Sequence, residues 1–236
     1  EQSRVTRLEH VNTTIVEKPQ EGIATVADRI AKLINRRNEN GQKTVLSLAS
    51  GRSMRDLFVE LVRLHKEEGL SFKNVVVFGS YEFYPLADKN IGSMAQIQSQ
   101  LLDHIDILPE NVHTFPGDLP KETVFTFCEE YEKAIVEAGG IDIQVLGIGQ
   151  CGNIAMNEPG TQPNSSTRLV IMDGNSRVDA KSLFGNVAQV PTCAITLGVE
   201  TILQAKEVIL LAFGQHKAGI VKQAIEEVAN AACPAS

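Results

Sequence analysis

The stretch GIGQCGNIAMNEPG, residues 147–160, is the part of the sequence best suited to chemistry. It follows an apolar run, IDIQVL, and combines a glycine-rich backbone with a free thiol, Cys151, and a single acid, Glu158. Glycines permit tight turns and let a ligand come close to the backbone. Pro159 pushes the residue before it towards extended backbone, which fixes the direction of Glu158 either as a general acid or base or as half of a salt bridge. Cys151 has the atom of a nucleophile, but no sequence feature supplies its base, and a small buried thiol is the more ordinary state for it. Two further turns suit anions. ASGRS (49–53) offers Ser50, Gly51, Arg52 and Ser53 where a strand would enter a helix, and free N–H groups at such a start welcome phosphate or carboxylate; as a bland alternative, Ser53 merely caps the helix. FGQHK (213–217) repeats the arrangement with Lys217 in a first helical turn, where the macrodipole disfavours a cation unless an anion joins it or solvent screens it. Histidines 10, 65, 104, 113 and 216 share no motif and read as structural or exposed.

These segments need a scaffold, and the hydrophobic periodicity supplies one. From Ile23 onward, Val26, Ile30, Leu33 and Ile34 recur at helical spacing until RRNENGQK ends the pattern. TVLSLAS (44–50) reads as a short buried strand, SMRDLFVELVRLHKEEG as a helix stopped by Gly69, and NVVVFGS as a strand. An irregular stretch rich in Tyr, Pro and Asp leads to a helix near residues 93–104. VHTF is a short strand, KETVFTFCEEYEKAIVEAGG a helix and IDIQVLGIG the most strand-like run; TRLVIM, CAITLG and the strand EVILLAFG precede a last helix over residues 216–229. Strands alternating with helices predict an α/β fold with an open, mostly parallel sheet flanked by helices, in a single domain spanning 1–236. In such sheets ligands bind beyond the carboxyl ends of the strands, where ASGRS, FGSYEFYP, GIGQCGN and FGQHK all fall.

Bulk properties narrow the partners. A net charge of −7 over 236 residues opposes nucleic acid, and 5% aromatic content with no Trp gives no stacking platform, whereas a small anion needs only a few local donors. Cys128, Cys151, Cys193 and Cys233 form no CxxC pair and no histidine stands at zinc-site spacing, so no metal and no disulfide framework are expected, and a reducing cytoplasm is the simpler location. No run approaches the length of a membrane span, and the charged first twenty residues do not read as a signal peptide.

The ordered segments LSLASGRSM, HKEEGLSFKNVVVF, LLDHIDILPENVH, GGIDIQVLGIGQCGNIAMNEPG and AITLGVETILQAKEVILLAFGQHKA closely resemble the glucosamine-6-phosphate deaminase (isomerase) family over nearly the whole chain. The resemblance implies a Rossmann-like fold, a small phosphorylated sugar or amino sugar as ligand, homo-oligomerisation, and conversion of glucosamine 6-phosphate and water to fructose 6-phosphate and ammonia without metal or redox cofactor. It also implies site residues. The proton-abstracting aspartate of the family falls on Tyr81, followed by Glu82; the ring-opening aspartate and histidine fall on Cys151 and Asn153, and their glutamate on Glu158. A tyrosine, with a reference pKa of about 10, is a poor base, and an asparagine cannot shuttle a proton. The phosphate turn maps to Ser50, Gly51, Arg52, Ser53 and Met54, with Lys217 as a phosphate lysine. Arg168 matches an arginine that binds an allosteric amino-sugar phosphate, although the lysine expected two residues on is Val170. An arginine expected near the next helical segment has no counterpart around Ser182. The resemblance therefore implies a homologue with weak or no deaminase turnover. Alternatives are an active sugar-phosphate isomerase or 6-phosphogluconolactonase-like hydrolase using Glu158, Glu82 and Cys151, and a non-catalytic sensing or oligomerisation module. Because the family continues past the point where ACPAS ends this sequence, the chain is expected to be a fragment of a longer protein.

Overall fold

The structure is a computed structural model that describes residues 11–236; His10 lies outside the described residues. Helix α1 (Pro19–Glu39) starts four residues before the first periodic apolar position, because Pro19 fits the first turn, where its missing N–H costs nothing. Strands β1 (Thr44–Leu48) and β2 (Val75–Gly79) are buried along their whole length, as an uninterrupted apolar run inside a parallel sheet must be. Between them α2 (Arg52–Glu68) buries Met54, Leu57, Phe58, Leu61 and Leu64 on one face and ends on Gly69 in the left-handed conformation.

Five strands form the main sheet in the order β4-β2-β1-β5-β8, all parallel, with β4 (Val112–His113), β5 (Ile143–Gly147) and β8 (Glu207–Leu211). The chain leaves the central β1 towards β2 and β4 on one side and later towards β5 and β8 on the other. The order therefore reverses between β1 and β5, which opens a crevice above their carboxyl ends. Helices α3 (Ser93–Gln100), α4 (Val124–Glu137) and α7 (Ala218–Glu226) complete the predicted alternation. One buried carboxylate ties the opposite end of the sheet: Asp142 accepts from Arg37 at 2.8 Å, Lys206 at 2.7 Å and the Val45 N–H at 2.8 Å.

Two expectations are corrected. Residues 81–84, expected to be irregular, form β3 (Tyr81–Tyr84), and β6 (Arg168–Ile171) and β7 (Cys193–Thr196) leave the parallel sheet to join it in a separate antiparallel sheet, β3-β7-β6. YEFYP carries no periodic signal of its own. Its backbone groups are satisfied by β7, more than a hundred residues away, and local reading cannot supply such a partner. Helix α5 (Gly174–Phe184) and the short α6 (Val199–Leu203) were also not legible; α5 buries only Ser176 and Ala180, so it has almost no apolar stripe. The second sheet and α5 lean over the crevice and provide part of its wall.

Candidate active site

At the carboxyl end of β1 the chain turns through Gly51, whose φ of 122° is open to glycine and strained for other residues. Gly51 is the N-cap of α2 and provides no side-chain cap, so Ser53 is not the capping residue and the first-turn N–H groups keep no side-chain acceptor. Arg52 is exposed on that turn. Ser50 stands just before it, with its hydroxyl 2.8 Å from the phenol of Tyr81.

The glycine loop leaves β5 next door. Gly149 N–H donates to the Asn153 carbonyl at 2.8 Å, and a Cβ at Gly149 would lie 1.8 Å from Asn153 Oδ1, so only glycine lets that amide fold back over the turn. Ala155 sits at φ 48°, an uncommon left-handed position for a residue with a side chain. Asn157, fully buried, donates to the carbonyls of Ile154 (3.1 Å) and Leu197 (2.8 Å) and accepts from Arg168 at 3.0 Å. Arg168, the residue matched to allosteric binding, is thus a brace on the loop. Lys217 reaches the same strand end, donating to the Ile148 carbonyl at 2.9 Å. Since β1 and β8 flank β5, the anion-suited turn and this ammonium lie on adjacent strand ends.

Helix α5 closes the far side. Gln150 donates to Asp179 at 2.9 Å, and Asn175 donates weakly to the Cys151 sulfur at 3.5 Å. Both carboxyl oxygens of Glu158 are buried and have no hydrogen-bond partner among the described residues. Burial pushes the Glu158 pKa above the ordinary carboxylate range, and the charges of Asp173 and Asp179 push the same way, while Ser176 and the Asp173 backbone oppose them. The proton on Glu158 is held more tightly in the folded than in the unfolded chain. Stability from this group is therefore full below the ordinary glutamate pKa of about 4.3 and is lost as pH rises through the folded value. Glu158→Gln, neutral throughout, is expected to melt at a higher temperature than the parent at pH 8, with the gain shrinking towards pH 4. Thermal melts at both pH values check this, and a loss at pH 8 would contradict the orphaned carboxyl.

Tyr81 lies partly buried at the crevice; burial and the neighbouring Glu82 charge raise its pKa above the ordinary phenol value, opposed by the bond to Ser50. The phenol is therefore neutral at physiological pH. Glu82 serves the backbone instead, for one carboxylate oxygen accepts the N–H groups of Phe83 (2.8 Å) and Ser93 (2.9 Å), and the other accepts Met94 N–H (2.8 Å). The Ser93 and Met94 groups are orphan donors at the start of α3, so Glu82 caps that helix. Burial raises its pKa while the three donors oppose the rise.

The other histidines serve separate elements: His65 contacts the Leu70 carbonyl (2.7 Å), His104 the Ser99 carbonyl (3.0 Å), His113 stacks on Phe78, and His216 is exposed. Among the described residues no cluster of His, Cys, Asp or Glu could hold a metal ion, and no helix is long and apolar enough to cross a membrane. Sequence reading missed Asp173, Ser176 and Asp179 around Glu158, although Asp173 followed three residues later by Ser176 marks a helix start, with Asp173 accepting the Ser176 N–H at 2.8 Å. It also missed Arg177 on α5, whose terminal nitrogen donates to the carbonyls of Val187 (3.0 Å) and Val190 (3.1 Å) while its Nε is buried without a partner.

The molecule is an open α/β protein whose glycine loop, helix start and lysine meet at a switch-point crevice. Residues 17–236 match the family described as glucosamine-6-phosphate isomerases/6-phosphogluconolactonase, and the chain belongs to that family. It is 46% identical, over its whole length, to a glucosamine-6-phosphate deaminase-like protein of Bacteroides thetaiotaomicron, of which it spans only 36%. It is 38% identical to a glucosamine-6-phosphate deaminase of Porphyromonas gingivalis, covering 90% of this chain and 81% of that protein. A solved monomeric glucosamine-6-phosphate deaminase superposes with a TM-score of 0.88 at 30% identity, covering 95% of this chain and 91% of the other. The 6-phosphogluconolactonase of Trypanosoma brucei shares the fold, with a TM-score of 0.72 at 20% identity over 94% of this chain and 89% of that one.

Proposed function

We propose that the chain binds a phosphorylated sugar or amino sugar as a glucosamine-6-phosphate deaminase homologue with little or no deaminase turnover. The observation that carries this reading is Tyr81: where the family resemblance expects the proton-abstracting base stands a neutral phenol engaged with Ser50. Cys151 and Asn153 stand where the ring-opening aspartate and histidine are expected, and neither is paired with an imidazole among the described residues. The binding parts are better preserved. Ser50, Gly51, Arg52 and Ser53 around an uncapped helix start, with Lys217 on a nearby strand end, form the phosphate site of this reading. Thermal shift with glucosamine 6-phosphate and fructose 6-phosphate, beside an assay for ammonia release, tests it. Ligand at 100-fold its dissociation constant should add about 2.7 kcal/mol of apparent stability with little ammonia released. Turnover comparable with an ordinary deaminase would overturn the proposal.

One observation favours a second reading as an active isomerase or lactone hydrolase of the same fold: Glu158 carries a buried, unpartnered carboxyl with an elevated pKa, as a general acid would. Loss of a sugar-phosphate activity in Glu158→Gln supports that reading, and an indifferent variant removes it. The unpaired cysteines fit the cytoplasm. Homo-oligomerisation stays within the proposal, to be checked by light scattering, since a relative of this fold is monomeric.

A further inference from the structure

The last seven residues make contacts that the sugar-phosphate reading does not use. Residues 230–236 fold into a small self-closed turn: Cys233 N–H donates to the Asn230 carbonyl (3.1 Å), Ala232 N–H to Asn230 Oδ1 (2.9 Å), Asn230 N–H to Ser236 Oγ (2.9 Å), and Ser236 Oγ to the Cys233 carbonyl (2.7 Å). This turn lies on the glycine loop and grips it at two points. Ala235 N–H donates to the Gly152 carbonyl at 2.9 Å, and Gly160 N–H donates to the Ala231 carbonyl at 2.6 Å. Over residues 149–160, these are the backbone–backbone hydrogen bonds that leave the loop for another part of the chain; others, such as Gly149 to Asn153 and Asn157 to Ile154, close it on itself. The Cys233 side chain is fully buried between the two, so close that a Cβ on Gly152 would lie 2.6 Å from its sulfur and 3.2 Å from Ile220.

A loop that contains a left-handed alanine and an unpartnered buried carboxyl does not hold that shape by its internal bonds alone. Fixing the backbone of each residue costs about 1–2 kcal/mol, and a prefolded turn that docks as a unit supplies the restraint at little further entropic cost. We propose that residues 230–236 are a clamp for the glycine loop, and that Cys151, Asn153 and Glu158 keep their arrangement only while Cys233 is seated beneath Gly152. Cys233 is on this account a positioning residue, acting on the site through Gly152. The small glycine at 152 is required because the thiol occupies the space a side chain would fill.

Hydrogen exchange on the full chain tests this in the absence of any ligand, so a failure of sugar-phosphate binding bears on the proposed function alone. Ala235→Pro removes the donor to Gly152 without altering the core, and Cys233→Leu overfills the seat. Both are expected to speed exchange of the amides in residues 149–160 by about tenfold or more, while amides of β1 and β2 keep their parent rates. Cys233→Ala, which still fits, should restore near-parent exchange. Alkylation of the buried Cys128, followed by mass spectrometry, reports global opening and should not change in Ala235→Pro. Parent-like loop exchange in Ala235→Pro would overturn the clamp, as would an increase shared equally by the loop, β1, β2 and Cys128, which would mark general destabilisation. If Cys233→Leu does not fold, Ala235→Pro against Cys233→Ala still decides it.

Discussion

Tyr81→Asp, Cys151→Asp and Asn153→His, made together, are expected to raise ammonia release from glucosamine 6-phosphate by at least about 10²- to 10⁴-fold over the parent chain, the usual contribution of a positioned general acid or base. The scaffold for these side chains is already built. Gly149 leaves room for the side chain of residue 153, Glu158 stands at the far end of the same loop with a free carboxyl, and Ser50 is released when the phenol is removed. The three groups act as a unit, so single substitutions should give far less than their share of the combined effect. Tyr81→Asp alone leaves ring opening without its imidazole, and Asn153→His alone leaves the carbon acid without its base. A continuous assay coupled to ammonia checks the series. A triple variant that folds, binds the sugar phosphate and yet shows no gain would mean that the turnover defect lies elsewhere, with the exposed Arg52 in the phosphate turn as the first place to look.

The second large effect concerns stability. Glu82→Ala removes the acceptor of three buried or half-buried N–H groups, on Phe83, Ser93 and Met94. Each orphaned donor costs about 1–3 kcal/mol, so the variant is expected to lose about 3 kcal/mol or more of about 5–15 kcal/mol in total. Glu82→Gln keeps one carbonyl oxygen, which can still accept from Phe83 and Ser93, but its amide group confronts the Met94 N–H as donor to donor; a loss of about 1–3 kcal/mol follows. Urea denaturation gives both values. Were Glu82 a catalytic acid or base instead, both variants would retain their stability while any measured activity fell. The same cap explains how Tyr81 is held. β3 is anchored on one side to β7 and on the other, through Glu82, to α3, so the phenol has little freedom to leave Ser50.

Much of the parallel sheet was legible because its signals are local. VLSL and VVVF are short, buried-strand runs too brief for helices, and Leu57, Leu61 and Leu64 fall on one helical face before a glycine stop. The loop over residues 147–160 stood out for the same reason, since its glycines, its proline and its lone acid are visible without partners. Helix α5 was not legible because polar residues cover nearly all of it, and β3 was not because its ladder partner is distant in sequence. The surroundings of Glu158 were hidden with α5: Asp173, Ser176 and Asp179 carry no spacing relation to the loop they face. Arg168 shows the opposite error, a residue noticed for a ligand that the folded chain uses to hold Asn157.

The sequence by itself determined the α/β class, the parallel core strands, the position of the chemically suited loops at strand ends and the side chains available there. Only the tertiary structure decided that Tyr81 is tied to Ser50, that Glu82 is a helix cap, that Glu158 has no partner and that residues 230–236 dock on the glycine loop. The physical reason is one of range. Periodicity and turn chemistry depend on neighbours a few residues away, whereas protonation, hydrogen-bond satisfaction and loop restraint depend on groups that meet only when the sheet order brings distant strand ends together.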